Sequence, residues 1–415
     1  MAKNLETLAA IDLGTYRSCC VIAEVTGPES LEVVGIGTTR TDGIRKGVIV
    51  NLEALVACIR RAVEQAESMG GRRVETALAT VPAAQARSFT SRGVVTIGSR
   101  DRVVTRRDLE RVFETVRAVQ IPAGQSILHV MPQEYTLDGQ EGIQDPVGMS
   151  GARLEGSFHI VTVPQQAAQH VVTALNQAQI EVASLVYPLL ASAETVLSRE
   201  EREQGVLLID CGGGTTDVAL FERGALWFTG TIPVAGDLIT NDLSIGLRTP
   251  VPDAELLKRA HARAVAGQDD DVALEVPTVG GGQPRVVPRS LLTQVVSPRV
   301  MEIYELVRNV VDRFGLHARA RSGAVIVGGS ANLEGMLEVA EQVLQMPVRL
   351  GVPVGIGGLV EEIRAPSFAS PVGLLRWELV TGRRKRAEEA EANRGWFRRL
   401  GAGARRASGW LGEMF

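Results

Sequence analysis

The stretch that decides the fold is "LLIDCGGGTTDVALFER", residues 207–223. It consists of an apolar strand, Ile-Asp-x-Gly, a turn rich in glycine and threonine, and a second strand. The same order occurs near the start of the chain in "AAIDLGTYRSCCVIAEV", residues 9–25. Each copy predicts a β-hairpin with a carboxylate, Asp210 or Asp12, at the end of its first strand. Repetition at matched spacing favours a functional role for the two turns over two incidental hairpins.

Turns of this kind suit phosphate. Their exposed backbone N–H groups and hydroxyls can donate several hydrogen bonds to phosphate oxygens. Asp12 and Asp210 cannot contact a phosphate directly, because like charges repel, but they suit a hydrated Mg²⁺ that bridges to it. The alternative is a plain hairpin with glycines at positive φ. A third element, "GAVIVGGSANLEGM" at 323–336, predicts a strand, a Gly-Gly-Ser turn that lets a flat ligand approach the backbone, and a helix from near Asn332.

Bulk composition excludes several classes of protein. At 415 residues the chain is long enough for two or more domains. A net charge of −4 indicates that the main part of the chain lacks the basic charge typical of nucleic-acid binding. The N-terminal "MAKNLETLAA" is not a signal peptide, and no window approaches 18 uncharged apolar residues. The spacing of the cysteines indicates neither a metal site nor a disulfide framework, so a reducing cytoplasm is expected; they are Cys19, Cys20, Cys58 and Cys211.

Short apolar runs alternate with amphipathic helices, which indicates an α/β fold. One helix is predicted over 51–69, with Asn51 as its cap and Gly70 as its end. Another is predicted after "TRRD" at 105–108, a capping pattern. A third spans 290–315, with a bend at Pro298.

The three glycine elements, in this order and spacing, resemble the two phosphate loops and the adenosine loop of the actin, Hsp70 and sugar-kinase superfamily. The resemblance implies two similar lobes, each ribonuclease-H-like, with ATP or ADP and Mg²⁺ in the cleft between them. It implies that the phosphate loops are Gly14, Thr15, Tyr16 and Arg17, and Gly212, Gly213, Gly214, Thr215 and Thr216. The residues implied to organise Mg²⁺ are Asp12, Asp210 and Asp217. The residues implied to bind adenosine are Gly236, Glu255, Lys258, Gly328, Gly329, Ser330 and Asn332. For "DAELLKRAH" at 253–261 the alternative is an ordinary acidic helix start.

Three longer runs resemble the bacterial cell-division family FtsA, and the resemblance spans about residues 8–381 and the tail. They are "HVMPQEYTLDGQEGIQDPVGMSG" at 129–151, "GVLLIDCGGGTTDVA" at 205–219 and "EVPTVGG" at 275–281. The resemblance implies an actin-like α/β fold with an inserted α+β subdomain and a C-terminal amphipathic helix. The expected division of the chain is a first lobe at 1–83 and 164–202, the inserted subdomain at 84–163, a second lobe at 203–234 and 300–382 with its small subdomain at 235–299, a charged linker at 383–394, and the helix at 395–415.

The same resemblance implies a function. Such a protein forms filaments at the inner face of the cytoplasmic membrane, as a peripheral protein at the division septum. It anchors the FtsZ ring there and helps to recruit later division proteins through the inserted subdomain. The residues implied to receive the C-terminal peptide of FtsZ are Arg285, Arg299 and Glu302; arginines can pair bidentately with its carboxylates, although a solvated helix face is the plain alternative.

ATP hydrolysis is expected to be slow or absent. A hydrolase of the superfamily must position a water in line with the γ-phosphate. No convincing general base stands out in the sequence, since the five histidines lie outside the glycine loops: His129, His159, His170, His261 and His317.

The tail, "RGWFRRLGAGARRASGWLGEMF" at 394–415, places apolar and arginine side chains on opposite faces if wound as a helix. Its glycines cost up to about 1 kcal/mol each relative to alanine, so it should form only where something receives its apolar face. The protein's own core, a partner groove and an anionic bilayer surface are the three candidates, and the bilayer fits best. The predicted membrane-binding residues are Trp396, Phe397, Arg398, Arg399, Leu400, Arg405, Arg406, Trp410, Leu411 and Phe415.

Other members of the superfamily remain as alternatives. A pilus-assembly protein of the actin-like type should lack such a tail. A sugar or acyl-phosphate kinase needs a catalytic acid and a polar substrate pocket, which the sequence does not reveal. An Hsp70-type chaperone needs a substrate domain after residue 381, where few residues remain.

Overall fold

The computed structural model describes residues 5–268 and 270–382. The predicted charged linker at 383–394 and the predicted amphipathic helix at 395–415 lie outside the described residues.

The first part of the chain forms an antiparallel meander backed by a helix. Its elements are β1 (Thr7–Leu13), β2 (Arg17–Val25), β3 (Leu31–Arg40), β4 (Ile44–Arg45), β5 (Val48–Ile49), α1 (Leu52–Gly70) and β6 (Thr76–Thr80). The Asn51 side chain accepts a hydrogen bond from the backbone N–H of Ala54, as predicted for the cap of α1. The helix ends at Gly71 with φ 62°, one residue beyond the predicted Gly70.

The inserted subdomain is a four-stranded sheet with one helix. Its elements are a 3₁₀ turn (Ala83–Gln85), β7 (Arg87–Thr96), α2 (Arg106–Arg117), β8 (Gln125–Leu137), β9 (Gln140–Ile143) and β10 (Arg153–Pro164). The strands lie in the order β7-β10-β8-β9. Thr105 and Asp108 form the predicted capping box of α2. Val112 and Val116 of α2 pack with Phe158 of β10 in a core of their own, so this unit is α+β.

The chain then returns to the first lobe and crosses to the second. The remaining elements are α3 (Gln165–Gln177), β11 (Glu181–Val186), α4 (Pro188–Val196), α5 (Arg199–Gln204), β12 (Val206–Cys211), β13 (Thr216–Glu222), β14 (Ala225–Ile232), α6 (Gly236–Leu247), α7 (Val251–His261), β15 (Ala273–Val276), β16 (Arg285–Pro288), α8 (Arg289–Arg313), β17 (Ala324–Val327), α9 (Met336–Leu344), β18 (Val348–Leu350), β19 (Gly357–Gly358), α10 (Val360–Ile363) and α11 (369–382).

The two large sheets repeat one topology. The first has the order β11-β6-β1-β2-β3-β19 and the second the order β14-β13-β12-β17-β18. In each, three antiparallel strands form a meander whose first strand, β1 or β12, also pairs in parallel with a later strand, β6 or β17. That strand pairs in parallel with one more, β11 or β18. The predicted duplicated, two-lobed α/β fold is therefore confirmed.

One local prediction differs from the structure. After the third glycine element the chain makes a 3₁₀ turn over Gly329–Asn332, and α9 begins only at Met336, because Gly335 takes a φ of 84° before it. The helix predicted over 290–315 is α8, Arg289–Arg313, and Pro298 lies inside it. Among the described helices, none has the length and apolar character needed to cross a membrane.

Candidate nucleotide site

The two hairpin turns of the repeated motif face each other across the cleft between the lobes. Each turn is closed by the same bond: Gly14 N–H donates to the Arg17 carbonyl at 3.1 Å, and Gly212 N–H donates to the Thr215 carbonyl at 3.0 Å. The turns approach closely, since a Cβ on Gly214 would lie 2.7 Å from Thr15 Oγ1. The two copies of the motif therefore form one site.

A cavity of about 570 Å³ lies between the turns, a volume typical of small-ligand sites. Most of the predicted site residues line it: Asp12, Gly14, Thr15, Tyr16, Arg17, Asp210, Gly212, Gly213, Gly214, Thr215, Asp217, Glu255, Lys258, Gly328, Gly329, Ser330 and Asn332.

Two predicted residues lie behind the wall of the cavity. Thr216 is fully buried, and its hydroxyl donates to the Val234 carbonyl at 2.7 Å. Gly236 begins α6, and its N–H donates to the Gly212 carbonyl at 3.2 Å. A Cβ on Gly236 would lie 2.2 Å from Ser330 Oγ, so only glycine allows α6 this close to the third glycine element. Both residues can thus shape the site without touching a ligand.

Three carboxylates gather at the base of the cavity. Asp12 accepts hydrogen bonds from Thr80 Oγ1 at 3.0 Å and Ser370 Oγ at 2.9 Å. Burial raises the pKa of Asp12, and these hydroxyls oppose the rise. Burial also raises the pKa of Asp217 to about 6, against hydrogen bonds from Thr231 and Thr215. The pKa of Asp210 is raised to about 8, by burial first and then by the charges of Asp217 and Asp12. A cation bound here would lower the pKa of Asp210, because its charge would offset both the burial of that carboxylate and the repulsion by Asp217 and Asp12.

The donor set fits a hydrated Mg²⁺ better than a directly ligated metal. Within the described part of the chain, no three His, Cys, Asp or Glu side chains are close enough together to hold a metal ion between them. Mg²⁺ keeps several waters and takes only one or two protein carboxylates beside the substrate phosphates. Asp12, Asp210 and Asp217 would therefore hold such an ion partly through its waters.

The opposite side of the cavity is formed by the third glycine element and by α7. Gly328 has a φ of 91°, and a Cβ there would lie 2.3 Å from Asp210 Oδ1, so glycine is required. Lys258 Nζ donates to the Gly236 carbonyl at 3.1 Å and to Thr240 Oγ1 at 2.8 Å, and it pairs with Glu255 at 2.6 Å. Asp253 of the same helix does not line the cavity.

The structure adds residues that the sequence analysis missed. Two of them, Ser367 and Phe368 in the segment before α11, hold the guanidinium of the predicted Arg17. Arg17 donates to the Ser367 carbonyl at 2.5 Å and lies 4.3 Å from the centre of the Phe368 ring. Others that line the cavity are Gly47, Pro82, Pro188, Asp237, Arg259, Arg289, Glu334, Pro366 and Ser370. Of these residues, only Gly47 lies in a stretch whose local sequence indicates its structure: "KGV" at 46–48 is a glycine turn between short strands.

None of the residues predicted to bind the FtsZ peptide lines the cavity. Arg285 is exposed on β16, and Arg299 and Glu302 lie on α8. Neither arginine is without partners: Arg299 pairs with Asp242 and Glu302, and Arg285 donates to the Leu247 carbonyl. A peptide carboxylate would have to share or replace these acceptors.

The predicted separation of the histidines from the cleft agrees with the structure. None of the described histidines lines the cavity. Burial lowers the pKa of both His129 and His159 to about 4, so both are neutral at pH 7. His129 Nε2 accepts from the Tyr187 N–H at 3.0 Å, and His159 Nε2 bonds with Thr229 Oγ1 at 3.1 Å. These two are structural groups.

The duplicated sheets and the cleft between them define an actin-like two-lobed protein, and solved structures share this fold. The PilM–PilN type IV pilus biogenesis complex matches with a TM-score of 0.64 at 15% identity, over 90% of this chain and 98% of that one. MreB5 of Spiroplasma citri bound to ADP matches with a TM-score of 0.55 at 14% identity, over 91% of this chain and 97% of that one. At these identities the likeness is one of fold.

Sequence relatives narrow the class to one family. The model described as "Cell division protein FtsA" matches residues 207–373, and that of the "SHS2 domain inserted in FTSA" matches residues 83–162. The cell division protein FtsA of Pseudomonas aeruginosa is 42% identical over 375 residues, covering 90% of this chain and 89% of the relative. That of Escherichia coli K12 is 33% identical over 425 residues, covering 100% and 99%. This chain belongs to the FtsA family of cell division proteins, as its sequence motifs predicted.

Proposed function

We propose that this FtsA-family protein binds ATP or ADP with Mg²⁺ in the cleft, forms filaments, and links FtsZ to the inner face of the cytoplasmic membrane at the division septum. The observation that carries the nucleotide part is the meeting of the two phosphate turns, each with a buried carboxylate at the end of its first strand. Backbone N–H groups of both turns would bind the phosphates, and the three aspartates would hold the ion that bridges to them.

Hydrolysis is proposed to be slow or absent. No described histidine lines the cavity, and beyond the three aspartates proposed for the metal its carboxylates are Asp237, Glu255 and Glu334, of which Glu255 pairs with Lys258 and Glu334 with Arg263. The glycines and hydroxyls of the turns bind phosphate but cannot take a proton from water at neutral pH. Turnover of tens per second in the purified protein would contradict this proposal, since it would exceed that of a median enzyme.

The peptide surface is proposed to combine charge with apolar area. Three apolar side chains on segments that carry or contact these arginines are about two-thirds exposed. Val286 follows Arg285 on β16 at 67%, Ile245 lies on α6 at 69%, and Val279, whose N–H donates to the carbonyl of Arg248 just after α6, is at 67%. Surface area of that kind marks interaction sites when it is rimmed by polar groups. The proposed partner is the C-terminal peptide of FtsZ, whose carboxylates the arginines would bind.

The peptide surface can be tested by charge reversal on α8. Arg299→Glu should weaken the binding of a labelled FtsZ C-terminal peptide at least tenfold. Arg308→Glu makes the same change at an exposed position of the same helix and should have little effect. Equal affinity for both variants would remove Arg299 from the surface.

Membrane attachment is proposed to reside in the tail at 395–415, outside the described residues. Its arginines would contribute about 1 kcal/mol each at an anionic surface, and a filament of many tails would bind far more firmly than one. The inserted subdomain is proposed to recruit later division proteins. Membership of the FtsA family favours these roles over pilus assembly or sugar phosphorylation.

Co-sedimentation with anionic liposomes, in ATP and Mg²⁺, tests the membrane role. The whole chain should pellet with the lipid, and a chain cut after Arg386 should stay in the supernatant. A whole chain with Trp396 and Trp410 changed to alanine keeps the arginines and should bind more weakly, because the apolar face is reduced. If the cut chain pellets as well as the whole chain, the tail is not the anchor.

A further inference from the structure

One helix, α6, is attached at its N-terminal end to the second phosphate turn. Gly236 N–H donates to the Gly212 carbonyl at 3.2 Å, and Asp237 N–H donates to the Gly213 carbonyl at 2.7 Å. The Gly212 carbonyl also accepts from Ser330 Oγ at 2.7 Å. Because a Cβ on Gly236 would lie only 2.2 Å from Ser330 Oγ, the helix has no room to shift inward without moving these groups. The position of the turn therefore depends on the position of α6.

The middle and the far end of the same helix are held by the two arginines of the proposed peptide surface. Arg299 of α8 donates two hydrogen bonds to the carboxylate of Asp242, from Nε to Oδ2 at 2.6 Å and from Nη2 to Oδ1 at 3.1 Å. Both side chains are 24% exposed, so the pair is accessible from one side and partly desolvated. Arg285 of β16 donates from its guanidinium to the carbonyl of Leu247, the last residue of α6.

Arg299 pairs with Glu302 through Nη1 and with Asp242 through Nε and Nη2, so a peptide carboxylate that binds bidentately at the Nε–Nη2 edge competes with Asp242. Asp242 would then be left as a partly buried charge without its partner, which is costly unless the helix moves to hydrate it. Any such shift would be carried along α6 as one continuous helix, whose buried side chains belong to the core of the second lobe: Ile239, Leu243 and Leu247. At 12 residues it is about 18 Å long, so a shift at Asp242 reaches the phosphate turn.

We infer that α6 couples the peptide surface to the nucleotide cleft, so that an acidic peptide at Arg299 and a nucleotide at the second phosphate turn weaken each other's binding. The inference rests on the proposed function of both surfaces. Linkage requires the effect to be reciprocal: the factor by which the peptide weakens nucleotide binding equals the factor by which the nucleotide weakens peptide binding.

The test is a pair of titrations on the full chain. The Kd of a fluorescent ATP analogue with Mg²⁺ is measured without and with a saturating synthetic FtsZ C-terminal peptide, and the Kd of the labelled peptide is measured without and with saturating ATP. Both should rise by the same factor, at least about fivefold. In Asp242→Asn the peptide should bind more tightly, because Arg299 is released, and the factor should fall towards one. Glu305→Gln, the same loss of charge at an exposed position of α8, should keep the wild-type factor.

A charge swap separates the helix contact from the peptide contact. Asp242→Arg with Arg299→Asp rebuilds the pair with reversed polarity. It should bind nucleotide as the wild type does and should no longer respond to the peptide. If the peptide does not bind the wild-type chain at all, the proposed peptide surface is wrong, and the inference falls with it. If the peptide binds but leaves the nucleotide Kd unchanged, the inference alone is overturned.

Discussion

The carboxyl of Asp210 should control how the stability of the nucleotide-free protein depends on pH. Its pKa is raised from an ordinary value of 3.8 to about 8. A carboxyl whose pKa is higher in the folded chain holds its proton more tightly there, so the stability it contributes is lost as the pH rises from about 4 to about 8. Asp217 has a pKa of about 6, so most of the stability that its carboxyl loses is lost below about pH 6.

The size of the effect follows from proton linkage. Within the window each pH unit costs up to about 1.4 kcal/mol for one proton. Between pH 6 and pH 8 the free energy of unfolding should therefore fall by about 2 kcal/mol through Asp210. In Asp210→Asn this fall should be largely absent, since the amide does not titrate, and the variant should be more stable than the wild type at pH 8.

The assay is urea unfolding in EDTA at pH 6, 7 and 8, followed by tryptophan fluorescence. Asp312→Asn, at an exposed position of α8, is the matched control and should keep the wild-type slope. Adding Mg²⁺ and ATP should stabilise the wild type more at pH 8 than at pH 6, because the ion needs the ionised carboxylate, and should do little for Asp210→Asn. If Asp210→Asn loses stability between pH 6 and pH 8 as the wild type does, the assignment of the raised pKa to this carboxyl is refuted.

Three further outcomes are expected. Gly236→Ala should weaken binding of an ATP analogue about tenfold or more, because its Cβ would meet Ser330 Oγ at 2.2 Å. Adding Ser330→Ala should restore part of the lost affinity. If it restores none, the contact with Ser330 is not the cause. Asn51→Ala should lower the free energy of unfolding by about 1 kcal/mol in urea titrations through loss of the α1 cap, while Glu53→Gln in the same turn should cost less. His159→Gln should reduce the stability lost below neutral pH, because a histidine with pKa lowered to about 4 opposes folding as the pH falls from about 6.5 to 4; an unchanged acid midpoint in thermal melts would contradict this.

The two hairpins were predictable because their signals are local. An apolar run, a carboxylate and a glycine turn occupy a few consecutive residues, and the strand and turn preferences of those residues agree. The cap at Asn51 and the capping box at Thr105 were found for the same reason. The start of α9 was misplaced because Asn332 is as compatible with a 3₁₀ turn as with a helix start, and only the φ of Gly335 decides between them.

The sequence by itself determined the residues of the proposed site: two glycine turns, the carboxylates beside them and a third glycine element. Only the tertiary structure decided which groups those residues meet. Arg17 is held by Ser367 and Phe368, which lie 350 and 351 positions further along the chain, and Arg299 is held by Asp242 of another helix. Local preference carries no information on such contacts, because they arise when packed lobes bring distant segments together, and the repeated motif becomes one cleft only when the two sheets face each other.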